Sequence, residues 1–198
     1  MADSVDEDRA ELGRLASDRL DQVVAETGMP EAPHALLAET CARLRAGLES
    51  HDWQHDLLAV ATRVDPRSLP ADDEEFWLSF AVRVVHPPGH AAHGPADDEA
   101  YADWHALSPA DWLGVGEQVL RRGPGAAADA DALADYAAQS RSARALRGHD
   151  VTSDSLAARF RPADVLWRAL GAIDREAQLT QLGAWGIPAA LLRAWRVD

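Results

Sequence analysis

Residues 108–123, SPADWLGVGEQVLRRG, spell out a whole helix, start and stop included. Ser108 offers an N-cap oxygen, Pro109 suits the first helical position because its missing N–H needs no partner there, and Asp111 meets the positive end of the helix dipole. Arg121 and Arg122 stand at the negative end, and Gly123 stops the pattern. The tripeptide Pro-Ala-Asp recurs at 70–72, 95–97 and 162–164, with separations of 25, 14 and 53 residues among the four copies. That spacing is too irregular for a repeat protein, so the tripeptide reads as punctuation that restarts a helix each time. A chain restarted this often should fold as many short helices.

The apolar residues point the same way. There are 40 Ala and 23 Leu against 13 Val, 2 Ile and 5 Thr, a balance that favours helix over the β-branched surfaces on which sheets pack. We expect an all-α fold, an irregular bundle of about ten helices near 5–27, 34–49, 53–64, 72–85, 97–107, 109–122, 130–147, 153–160, 162–173 and 187–196. The first should bury Leu12, Leu15, Leu20, Val23 and Val24, and the fourth Phe76, Trp77, Phe80 and Val84. HPPGHAAHGP and RGPGAAADA read as loops.

All 19 basic residues are Arg, and they are unevenly placed. Residues 1–140 carry 10 Arg and 27 acids, net −17, whereas 141–198 carry 9 Arg and 6 acids, net +3, which together make the overall −14. An acidic body of this kind repels nucleic acid, so any phosphate contact should fall in the last third. A single cysteine, Cys41, excludes an internal disulfide framework and a Cys-based zinc knuckle. No stretch approaches the roughly 20 apolar residues that span a bilayer, and MADSVDEDRAELG has neither a basic start nor an apolar segment. A cytoplasmic setting, without membrane span or export, is the expectation.

HDWQHD, at 51–56, raises the question of a metal-binding H-x-x-x-H pair, which works only if both imidazoles leave one face of one continuous helix. Leu37, Cys41, Leu44 and Leu48 share one apolar stripe, and Trp53, Leu57, Val60 and Val64 share another; at 100° per residue the two are rotated by about 150°. The helix should therefore break at ESHD, with Ser50 or Asp52 capping the next one and His51 and His55 on either side of the turn. His86, His90 and His93 lie in a Pro- and Gly-rich loop that fixes no ligand geometry. LGVGEQV lacks the preceding strand and the third Gly of a dinucleotide site. Cys41 belongs to the apolar stripe and reads as core, as do Trp53, Trp77, Trp104, Trp112 and Trp167. No catalytic residue, metal site or cofactor is expected.

VTSDSLAARFRPADVLWRALGAIDREAQLTQLG, residues 151–183, resembles the winged-helix pattern of bacterial regulators. The likeness lies in Thr152 as a helix start, the Leu156-Ala157 pair, a turn, then Val165, Leu170 and Ile173 on a second helix, and LTQLG after a short wing. The tail LTQLGAWGIPAALLRAW is similar to the C-terminal ends of uncharacterised actinobacterial proteins. The resemblance implies an acidic helical region over 1–148 with a winged-helix-like unit, 149–198, packed on it. It also implies a DNA-reading role in which Arg159, Arg161, Arg168 and Arg175 meet bases and phosphates. The same helix pair serves equally well as a packed core of Leu156, Phe160, Val165, Leu166 and Leu170, and the acidic body opposes DNA. The preferred expectation is thus a non-enzymatic accessory or regulatory domain whose partner is another protein. A DNA-binding regulator using residues 151–183 is the first alternative, and a metal-dependent enzyme with a His/Asp site the second.

Overall fold

A computed structural model describes residues 2–50, 69–86 and 107–196, the first five of these as backbone alone. The described residues form eight helices: α1 (Ala2–Thr27), α2 (His34–Ser50), α3 (Asp73–Val85), α4 (Pro109–Arg122), α5 (Ala130–Gln139), α6 (Arg141–Arg147), α7 (Ser153–Ala169) and α8 (Gln181–Trp195). Among them strand pairing is limited to two isolated antiparallel bridges, Ala127 with Gln178 and Ile173 with Leu179. The fold is all-α. The helices expected at 53–64 and 97–107 lie outside the described residues, apart from Leu107.

The capping chemistry of α4 is as its sequence implies, with one addition. Ser108 Oγ accepts from Asp111 N, and Asp111 Oδ2 in turn accepts from Ser108 N at 2.8 Å, closing a capping box. At the first Pro-Ala-Asp of the chain, 70–72, the register differs, because Asp72 is itself the N-cap and accepts from Glu75 N, so α3 begins one residue later. At the fourth, Pro162 lies inside a helix. The two helices expected at 153–160 and 162–173 are one helix, α7, and the turn that a winged helix needs between them is absent there. An interior proline costs about 3 kcal/mol. Here it is offset by burial of Phe160, Pro162, Ala163, Leu166 and Trp167 on one continuous face. The reverse correction applies to 130–147, which breaks at Ser140: its backbone is extended, and its Oγ caps α6 by accepting from Ala143 N at 3.1 Å. The last helix starts at Gln181 rather than 187, capped by Thr180, with Pro188 inside.

One hydrophobic cluster gathers residues from Ala16 to Trp195, with α5 packed on α7, α1 on α4 and α8 on α3. Trp112 meets Phe160 edge-on at 5.2 Å and Trp167 at 5.4 Å, and Trp77 meets Trp185 at 5.7 Å while its Nε1 donates to Leu170 O. Trp77, Trp112 and Trp167 are thus core residues as expected; Trp53 and Trp104 lie outside the described residues. The buried face of α1 differs from expectation. Ala16, Leu20 and Val23 are buried and Gly13 lies against the Trp195 ring, but Leu15 is 38% exposed. Small residues let α1 approach its neighbours closely, and Leu15 projects to one side. Val165, expected in the core, is 44% exposed.

Between α7 and α8 the chain makes a tight turn stitched to the 125–128 loop by Gly125 N to Leu179 O, Leu179 N to Ala126 O and Ala128 N to Ala177 O, each 2.8 Å. Ala177 holds φ +63° there, a left-handed conformation that costs a residue with a Cβ about 1 kcal/mol. Replacing Ala177 with Gly should therefore leave the thermal midpoint unchanged or raise it by a few degrees, as scanning calorimetry would show.

Candidate interaction groove

Both ends of α6 are pinned to α4. At its start Ser140 Oγ donates to Glu117 Oε2 at 2.8 Å, in the protein interior. At its end the Arg147 guanidinium pairs with the Asp111 carboxylate, the two side chains being 5% and 4% exposed, and Arg147 Nη2 donates to Ala137 O. Gly114 lets α4 lie close against the end of α5 just before the Ser140 cap, since a Cβ there would stand 2.8 Å from Ala137 Cα. From the other side Arg19 of α1 reaches over, its Nε donating to Ser142 Oγ at 3.0 Å and lying 3.5 Å from Glu117 Oε1.

Beside that seam, residues of α1, α4 and α6 line a groove of about 490 Å³. Leu113 forms its floor, Leu15, Ala145 and Leu146 its apolar walls, and Arg19 and Arg141 its charged edge. Leu15 and Arg19 stand four residues apart on one face of α1. Arg141 is exposed and makes no ion pair or hydrogen bond among the described residues. The groove therefore offers apolar surface to a side chain and positive charge beside it.

The four arginines singled out in the sequence do not form one surface. Arg161 and Arg168 are seven residues apart on the same face of α7, whereas Arg159 is turned about 180° from Arg168. Arg168 is already engaged, with Nε on Asp164 at 2.8 Å and Nη1 on Asp174 O at 2.7 Å. Arg175 lies beyond the helix, in the turn that leads to α8. The histidines fare differently: His51, His55, His90 and His93 lie outside the described residues. His86 is half-buried with Nε2 donating to Ala194 O at 2.9 Å, and burial, then the charge of Arg9, hold its pKa below the ordinary imidazole value. Among the described residues no three His, Cys, Asp or Glu side chains come together as a metal site.

Cys41 is fully buried, its Sγ donating to Asp73 O, and burial pushes its thiol up to about 11. At pH 8 a thiol-reactive disulfide reagent should therefore label the native protein slowly and the urea-unfolded protein at once; fast labelling of the native form would contradict this placement.

The groove's residues carry a signal that sequence reasoning passed over. SRSARALR holds three Arg in the seven residues of α6 after a cap-competent serine, the pattern of a short separate helix. Absorbed into one long 130–147 helix, that signal disappears.

No family model matches the chain, and no curated protein or solved structure matches it either. No described helix is long and apolar enough to cross a membrane.

Proposed function

We propose that this chain is a non-enzymatic helical interaction domain, an accessory or regulatory element of the cytoplasm. On this reading the groove between α1 and α6 receives a helix of a partner protein. The observation that carries it is the 38% exposure of Leu15, a residue that the apolar pattern of α1 would otherwise bury, at the lip of an apolar groove edged by Arg19 and Arg141. An amphipathic helix in a groove is a recurrent mode of peptide recognition, with apolar side chains at helical spacing as anchors. The charged edge specifies the partner's chemistry: leucine-like anchors flanked by Asp or Glu. A cytoplasmic setting is supported by the single buried thiol and the solvated acidic surface.

Fluorescence anisotropy with a labelled leucine-glutamate helical peptide tests this. Binding should be saturable, and Leu15→Glu or Arg141→Glu should each weaken it by about tenfold, or 1.4 kcal/mol, without altering the circular dichroism spectrum. Equal binding of a peptide with Lys in place of Glu, or no effect of either variant, would contradict the assignment. Duplex DNA has less support, because Arg159 faces away from Arg161 and Arg168 and Arg168 is held by Asp164. On this reading a duplex stays unshifted at low salt in micromolar protein.

A further inference from the structure

A second recess, of about 600 Å³, lies far from the groove in the order of the chain, where α2, the end of α7 and the turn before α8 come together. Three arginines from three separate segments are among the residues that line it: Arg43 of α2, Arg168 of α7 and Arg175 of the turn. We infer that this recess binds the phosphoryl group of a small molecule.

Two of the three arginines are held in advance by backbone carbonyls, and Arg168 is also ion-paired through Nε with Asp164 at 2.8 Å, so that Arg43 and Arg175 carry the charge not already offset by a carboxylate. Arg43 Nη2 donates to Ala169 O, and Arg168 Nη1 donates to Asp174 O at 2.7 Å. Gly171, next to the first of these, holds φ +76°, a left-handed conformation that suits glycine. Each of these side chains keeps further N–H donors without a partner among the described residues, and Arg175 makes no hydrogen bond or ion pair there. Guanidinium groups arriving from three segments suit a tetrahedral oxyanion, which presents acceptor oxygens in as many directions, better than a planar carboxylate, which presents two. The recess also includes Thr180, the N-cap of the 15-residue helix α8.

Two carboxylates share the lining, and they sharpen the test. Asp174 is turned into its own loop, where Oδ1 accepts from Gln178 N at 2.8 Å. Glu176 has no such partner among the described residues, so it is the charge an anion must outcompete. The volume lies within the range of small-molecule sites and exceeds what a bare phosphate fills, leaving space for the rest of a phosphorylated metabolite.

Calorimetric titration of the full chain with inorganic phosphate, at ionic strength held constant with sodium chloride, reads this directly. Phosphate should bind saturably; Arg175→Gln and Arg43→Gln should each weaken it about fivefold, and Glu176→Gln should tighten it. Arg175 has no contact to lose, so that variant keeps the test sound if Arg43→Gln disturbs the fold. Succinate and a short DNA duplex serve as comparisons. The assignment is overturned by an absence of saturable phosphate binding, by binding that none of the three substitutions changes, by succinate binding as tightly as phosphate, or by a duplex binding more tightly than the free anion.

Discussion

Replacing Arg147 with Met should cost this protein about 3–5 kcal/mol of unfolding free energy, a large part of the 5–15 kcal/mol a domain ordinarily has. The reason is local. The Asp111 carboxylate is 4% exposed, and the guanidinium that neutralises it is 5% exposed, so removing the cation leaves a negative charge in the interior with only Ser108 N and Ser108 Oγ as donors. Ala137 O loses its Arg147 donor as well. Adding Asp111→Asn to Arg147→Met should recover at least half of the loss, since the amide oxygen can still accept from Ser108 N while the stranded charge is gone. Urea unfolding followed by tryptophan fluorescence gives both values. Equal midpoints for the wild type and the single variant would show that α4 and α6 are not held together this way.

Gly183→Ala should destabilise the fold by about 3 kcal/mol, while Gly13→Ala should stabilise it by about 0.5–1 kcal/mol. Both glycines are inside helices, where alanine is the better helix former. They differ in what a methyl group meets. At 183 it would stand 2.1 Å from Ala172 O, a backbone atom that also accepts from Thr180 N and Thr180 Oγ1. Neither helix nor turn can yield without breaking those bonds. At 13 the nearest atom is Trp195 Cδ1 at 3.4 Å, an ordinary contact. Opposite shifts in thermal midpoint for the same substitution are the expected result, and a loss of stability at both positions would contradict the packing of α1 on α8.

How far the sequence could be read is clearest at its prolines and serines. At Pro109 every local signal agreed, and the helix begins there with its capping box formed. At Pro162 the same tripeptide misled, because a proline reports a lost hydrogen bond but not whether packing offsets it. Phe160, Leu166 and Trp167 supply that packing, and their partners, Trp112 among them, lie some 50 residues earlier in the chain. Ser140 was overlooked for the opposite reason. Ala-rich residues on both sides look uniformly helical, and only Glu117, another long-range partner, shows why the chain turns there.

The candidate sites follow the same division. Helical spacing alone put Leu15 with Leu12 and Leu20, yet α1 packs through Ala16, Leu20 and Val23, and Leu15 is left for the groove. Arg168 and Arg175 were legible as cations near the end of the chain. Arg43, which meets them in the second recess, is 125 residues from Arg168 and carries no local sign of that neighbourhood.

The most direct test of the interaction reading is amide NMR of the isotopically labelled chain during titration with the leucine-glutamate peptide. The account predicts shifts concentrated at Leu15, Arg19, Leu113, Arg141, Ala145 and Leu146, the residues that line the groove between α1 and α6. No concentration of shifts at those residues, or shifts centred on another face of the bundle, would contradict it.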